Sequence, residues 1–389
     1  MYRKTNLQPV KSALFGLSKG CLLLLLLTVA ACQQSSQIQQ QIEKSSSESS
    51  NSETRLILNN ATLEQADDQG QILWKIRVKM ARYSQDSKRA ELEEITGNLF
   101  QEGKLILKVS AKKGEIEKDG DEISLRDKIV ATDVRNGIII KGENVKWKPK
   151  DYLLVVEKNL IGIHRNLTVT SEGGIYYTKK ERLELRGNVL GNYREPKLQM
   201  KTDRLYWNIP QETLVGDRPI QIVRYKDKTV TDQVIADQAE VGLKNSLATL
   251  RKNVEFKSLE PPLQMATNSI NWQYENRTVN AKEPIRIVDP KNKIIVTGNQ
   301  GELVLSQKIA RLRGGVAGES TQRNQAKIYA REVLWNMPNN IVEAAGNVIY
   351  QQSNPNMSFA GSKAVGKLTD NSIVVTGEPG AGVVTKIVP

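Results

Sequence analysis

From Thr54 onward, apolar and polar residues alternate along most of this chain, and helical spacing is scarce. Ile72, Trp74, Ile76, Val78 and Met80 fall on one side of an extended backbone, with Lys75, Arg77 and Lys79 on the other. Shorter alternating runs occur at Leu105/Leu107/Val109, Leu183/Leu185, Ile220/Ile222 and Ile285/Ile287. Turn formers interrupt them, among them Asp119-Gly120 and Asn136-Gly137, dipeptides suited to tight hairpins. The pattern predicts an all-β chain.

A longer period lies over the alternation. The aliphatic positions Leu99, Ile129, Leu160, Val189, Ile220, Val254, Ile285, Val316 and Val348 are separated by 30, 31, 29, 31, 34, 31, 31 and 32 residues. The residue before each is Asn, Pro or Gly except at Lys128. Thirteen positions before the last eight lie Ile116, Trp147, Tyr176, Trp207, Val241, Trp272, Leu303 and Trp335, all large and apolar. Leu198-Gln199-Met200-Lys201-Thr202 and Leu263-Gln264-Met265-Ala266-Thr267 are near copies. Such a period marks a repeat whose single unit, two or three strands long, cannot cover its own apolar face and must stack on its neighbours. The expected fold is an elongated, twisted β-jelly-roll or β-solenoid-like stack of strand-pair repeats of about 31 residues around one apolar interior. The tryptophans lie on that interior, either as core fillers or as the lining of a trough.

The first fifty residues differ. Arg3, Lys4, Lys11 and Lys19 precede an apolar run from Cys21 to Ala31, the charged-then-apolar layout of a secretory signal. The run is too short to span a bilayer, which takes about 20 residues. It ends in Val29-Ala30-Ala31-Cys32, similar to a bacterial lipobox in which Cys32 is the lipid-attachment residue; an uncleaved helix beginning near Ala13 is the alternative. Residues 1–31 are thus expected to be a lipoprotein signal peptide or a membrane anchor. Residues 32–53 follow as a flexible tether; Gln33–Glu53 holds eight Ser and six Gln, too polar to repay its ordering entropy.

Composition narrows the chemistry. The net charge is +13, and removing the four N-terminal cations leaves +9, spread along the chain as on a solvated surface. The only cysteines are Cys21 and Cys32, and His164 is the one histidine, which leaves no triad and no ordinary zinc site. No acid pair stands out for a carboxylate-based hydrolase, and no aromatic-basic cluster points to nucleic acid. No catalytic residue, metal or cofactor is expected.

Gly70-Gln71-Ile72-Leu73-Trp74, then Ala81, Tyr83 and Leu185-Arg186-Gly187-Asn188-Val189, resemble LptC, a component of lipopolysaccharide export in diderm bacteria. Later units such as Ala344-Ala345-Gly346-Asn347-Val348 look more like LptA and the OstA-like domain. The resemblance implies an LptC-like β-jelly-roll over 54–195 and additional LptA/OstA-like repeats over 196–389, continuous with it. It also implies a periplasmic protein held at the inner membrane by an N-terminal lipid or single helix. The implied partners are lipopolysaccharide or a similar glycolipid, an inner-membrane ABC transporter, and an LptA-like bridge or outer-membrane translocon. Ile72, Trp74, Ile76, Val78, Met80, Trp147, Trp207, Trp272 and Trp335 are then the candidate groove residues. The chain departs from ordinary LptC in having about twice the β region and a lipoprotein-like start. A scaffold or adhesive envelope solenoid that carries no lipid would have nearly the same pattern.

Overall fold

The computed structural model of the protein describes residues 56–85, 88–117, 120–320, 325–369, 372–377, 380 and 382–387. The segments 1–31 and 32–53, Cys32, and Asp119 of the expected hairpin lie outside the described residues. The described residues form 28 strands, with a 3-10 turn at Thr178–Lys180 and no α-helix, and the strands pair antiparallel.

One unit illustrates the construction. The strand Arg182–Tyr193 pairs along both its halves with Leu198–Asn208. On its other side two short strands meet it, Gly173–Tyr177 beside the first half and Leu167–Ser171 beside the second. Between the halves, Gly187 and Asn188 have φ of 74° and 46°, and the pairing slips between Arg186 and Val189. Two left-handed residues in succession turn the strand sharply, so its halves enter two different layers. The same bend recurs at Lys252-Asn253, Gly314-Gly315 and Gly346-Asn347, and at Asp127-Lys128, where the strand is split in two. Gly and Asn tolerate this conformation because they lack, or can offset, the clash of Cβ with the carbonyl. Near Ile220 and Ile285 the segments ending in Pro219 and Pro284 separate the half-strands instead. The turn formers before Leu160, Val189, Val254, Val316 and Val348 are therefore bend residues, and Lys128 bends with φ of 53° although its residue type gave no warning. Leu99 does not belong to the series: in its strand, Ala90–Gln101, the left-handed residue is Glu94, and Leu99 lies beyond that bend and faces Leu107.

Each rung of the structure is one bent strand, or a split pair equivalent to one, bonded to the rung before and the rung after. Two rungs make one repeat. The anchor that follows each bend is buried, and its partner across the ladder is small: Ile129 faces Gly142, Val189 faces Thr202, Ile220 faces Ala236, Ile285 faces Gly298, Val316 faces Ala330 and Val348 faces Gly361. Along the bend the layers converge, and only one large side chain per rung pair fits. Away from it they face each other fully. Phe256 and Trp272 sit in opposite layers with ring centroids 5.5 Å apart, and His164 and Trp207 do the same at 6.0 Å.

The strands flanking the expected boundary at 195/196 are those of the worked unit, so the meander passes through it unbroken. It has two free edges among the described residues. Ile57–Ala66 pairs only with Ile72–Tyr83, and Ser372–Thr376 and Val384–Ile387 pair only with Asn356–Lys367.

Candidate functional site

The residues thirteen before each anchor lie in one layer and form one inward-facing row across the rungs. It runs Ile116, Ile123, Trp147, Leu154, Tyr176, Leu183, Trp207, Leu214, Val241, Ala248, Trp272, Val279, Leu303, Ala310, Trp335, Val342 through successive register pairs. A tryptophan stands at every fourth rung, about 19 Å from the next at the usual strand spacing. All four are at most 2% exposed. Trp147, Trp207 and Trp272 are packed between the layers. Trp335 instead lines an open cleft.

That cleft lies where the layers part toward the C-terminal end. It encloses about 120 Å³ and opens to solvent at its mouth, so it is smaller than the roughly 300–1,000 Å³ common for ligand sites. One layer contributes Ile294, Val296, Gly318, Ile328 and Tyr350; the other contributes Leu312, Val333, Trp335, Val342, Gly366 and Ile373. Lys327 and Lys367 line it near its rim, where the strands turn. Inward-facing Ile328, Val342, Phe359 and Ile373 are only half-buried, unlike their counterparts in earlier rungs.

N-terminal to the cleft, polar clasps join the layers along the edge opposite the bends. Asp133 is fully buried and accepts from Arg135 Nε at 3.0 Å and from Tyr176 Oη at 2.7 Å. Arg135 reaches across to donate to the Thr178 carbonyl at 2.8 Å, and Asn136 donates to Glu181 at 2.7 Å. Burial, with the Asp133 carboxylate beside it, pushes the Tyr176 hydroxyl far above its ordinary pKa, so it stays a donor. Arg165 pairs with Glu212 in the next clasp. Farther on, fully buried Asp232 receives Arg277 end-on, Nε at 2.9 Å and Nη2 at 2.8 Å, with Thr231 Oγ1 at 2.9 Å. Arg277 also donates to the Glu260 carbonyl at 2.6 Å, and Arg224 donates to the Tyr274 carbonyl at 2.7 Å. Among the described residues, the last ion pair between the layers is Lys308–Glu260 at 3.6 Å; the cleft mouth lies beyond it.

The strand Ile72–Tyr83 holds the remaining candidates. Trp74, Ile76 and Val78 are buried in the core, Ile72 is exposed, and Met80 is half-buried because the phase of alternation changes before Ala81. The Trp74 indole donates to Gln65 Oε1 at 2.8 Å and to the Gly120 carbonyl at 3.2 Å. Of the nine candidates, only Trp335 lines the cleft; the other lining residues were missed. Their signal is faint, since Val333, Val342 and Ile373 alternate like any buried strand. No described helix is long and apolar enough to cross a membrane.

Residues 22–194 match the family model described as lipopolysaccharide-assembly, LptC-related. Among solved structures, the chain is similar to LptH of Pseudomonas aeruginosa, titled the LptA homologous periplasmic component of the conserved lipopolysaccharide transport device. That match has 14% identity, covers 41% of this chain and 95% of the other, and has a TM-score of 0.21. No curated protein matches the chain.

Proposed function

We propose, because residues 22–194 match the LptC-related family model, that this chain is a periplasmic bridge component of lipopolysaccharide export that holds acyl chains between its two β layers. The observation that carries the reading is the apolar cleft around Trp335, open to solvent on the edge where the strands turn. Each methylene hidden there is worth about 0.8 kcal/mol, so a lipid with several acyl chains gains far more between the layers than in water. Its sugars and phosphates remain outside, near Lys327 and Lys367. The cleft by itself gives a lipid no direction, so movement needs an energy source at one end, for which an inner-membrane ABC transporter is the natural partner. The free edges suit strand addition from other chains. The edge at Ile57–Ala66 would face the transporter, and that at Ser372–Thr376 the next bridge or the outer-membrane translocon. Anchoring at the inner membrane through Cys32, or through an uncleaved helix, belongs to the same reading.

The test is a photo-crosslinking amino acid at Ile328 in the full chain, produced in lipopolysaccharide-making cells. A lipopolysaccharide adduct at Ile328, absent when the crosslinker replaces outward-facing Tyr329, is expected. No lipid adduct at Ile328 in folded protein would refute transport through this cleft. A second reading, a scaffold that carries no lipid, is favoured by the packed interior from Trp74 to Leu303. It predicts a cleft that stays free of lipid while crosslinkers at Trp74 and Val375 still capture envelope proteins.

A further inference from the structure

The four tryptophans of the inward row share a second property. The indole Nε1 atoms of Trp147, Trp207, Trp272 and Trp335 are buried and have no hydrogen-bond acceptor. Trp74, the fifth tryptophan, stands outside the row and has two acceptors. A buried donor left unpaired costs about 1–3 kcal/mol, and native proteins hold few of them. Phenylalanine would fill much of the same space without that cost. At Trp335 the cleft supplies a reason for that penalty, since this is the member of the row that lines open space.

We propose that the Trp335 indole N–H is the hydrogen-bond donor for a carbonyl oxygen of an acylated lipid lodged in the cleft. The inference rests on the lipid-holding reading above and names the atom that recognises the ligand. The chemistry selects the group. An indole N–H donates and cannot accept, so it pairs with an ester or amide carbonyl and gains nothing from a hydrocarbon chain. Inside an apolar lining such a bond is stronger than in water. It also fixes position: the carbonyl marks where the acyl chain joins its sugar, so a bond to Trp335 sets how deeply the chains enter while Lys327 and Lys367 stay at the rim. The same donor recurs at Trp272, Trp207 and Trp147, where the layers are closed.

The experiment uses the full chain carrying nitrogen-15 tryptophan, whose five indole N–H signals are assigned by single Trp→Phe substitutions. Two probes are added: a synthetic acylated glucosamine with ester and amide chains, and its counterpart with ether and alkyl linkages that lacks the carbonyls. The expected result is a downfield shift of the Trp335 indole proton with the carbonyl probe only. Trp335→Phe should weaken binding of that probe by roughly three- to tenfold and leave the ether probe unchanged. If both probes bind in calorimetry but move the Trp335 indole equally, the donor role is wrong and the lipid reading stands. If neither probe binds the folded chain, the lipid reading itself fails and this inference with it.

Discussion

Replacing Arg277 by Met tests the clasps most sharply. Asp232 has no exposed surface, and Arg277 satisfies both its oxygens from the facing layer. Met keeps most of the aliphatic stem and removes the charge, which leaves a buried carboxylate held by Thr231 and, at 3.9 Å, by Arg224. Removing one partner of a buried pair costs about 3–5 kcal/mol. Arg224 is close enough to recover part of that, so we expect about 2–4 kcal/mol. Adding Asp232→Asn removes the stranded charge and should restore most of the loss. The assay is urea unfolding followed by tryptophan fluorescence and by amide exchange, because neighbour-to-neighbour stacks open locally and one transition does not report every rung. Exchange should accelerate first around Asp232, Ser258 and Tyr274, with the rungs near Trp147 less affected. An Arg277→Met protein within about 0.5 kcal/mol of the parent, or a double variant no better than the single, would refute a clasp that joins the layers.

Two further outcomes follow from the bend and from His164. Gly315 has φ of 89° and no atom near an added Cβ, so Gly315→Ala tests backbone conformation alone; a loss of about 1–2 kcal/mol is expected in urea unfolding. Burial, and secondarily the Arg165 charge, lowers the His164 pKa below its ordinary 6.5. The unfolded chain then binds the proton more readily than the folded one, so stability should be complete above pH 6.5, decline as pH falls below it, and level off under the folded pKa. His164→Gln should flatten that part of the profile.

The repeat was legible because the bend admits only a large side chain opposite a small one, and Val189, Val254 and Val316 recur with the spacing this imposes. The small partners Gly142, Gly298 and Gly361, each thirteen residues after an anchor, carried the same signal and went unused. Alternation also put Trp74, Ile76 and Val78 on one face, as the buried pattern of their strand has it. The clasps were not legible. Arg277 and Asp232 are 45 residues apart in different repeats, and a single charged residue in an alternating strand reads as surface. Nor does alternation reveal where two layers separate: Trp272 and Trp335 occupy equivalent positions in the sequence, yet one is packed and the other borders open space.

Because a rung runs from one layer to the other and its successor returns, chain direction and layer order are locked together. Lengthening the protein by one repeat adds two rungs, about 10 Å, and leaves every later side chain in its own layer. Losing a single rung would send all downstream strands through the layers in reverse, with tryptophans opposite the wrong neighbours and the bends out of step. Growth and shortening of such a chain are therefore confined to even numbers of rungs, and the length of the stack can change only in those increments.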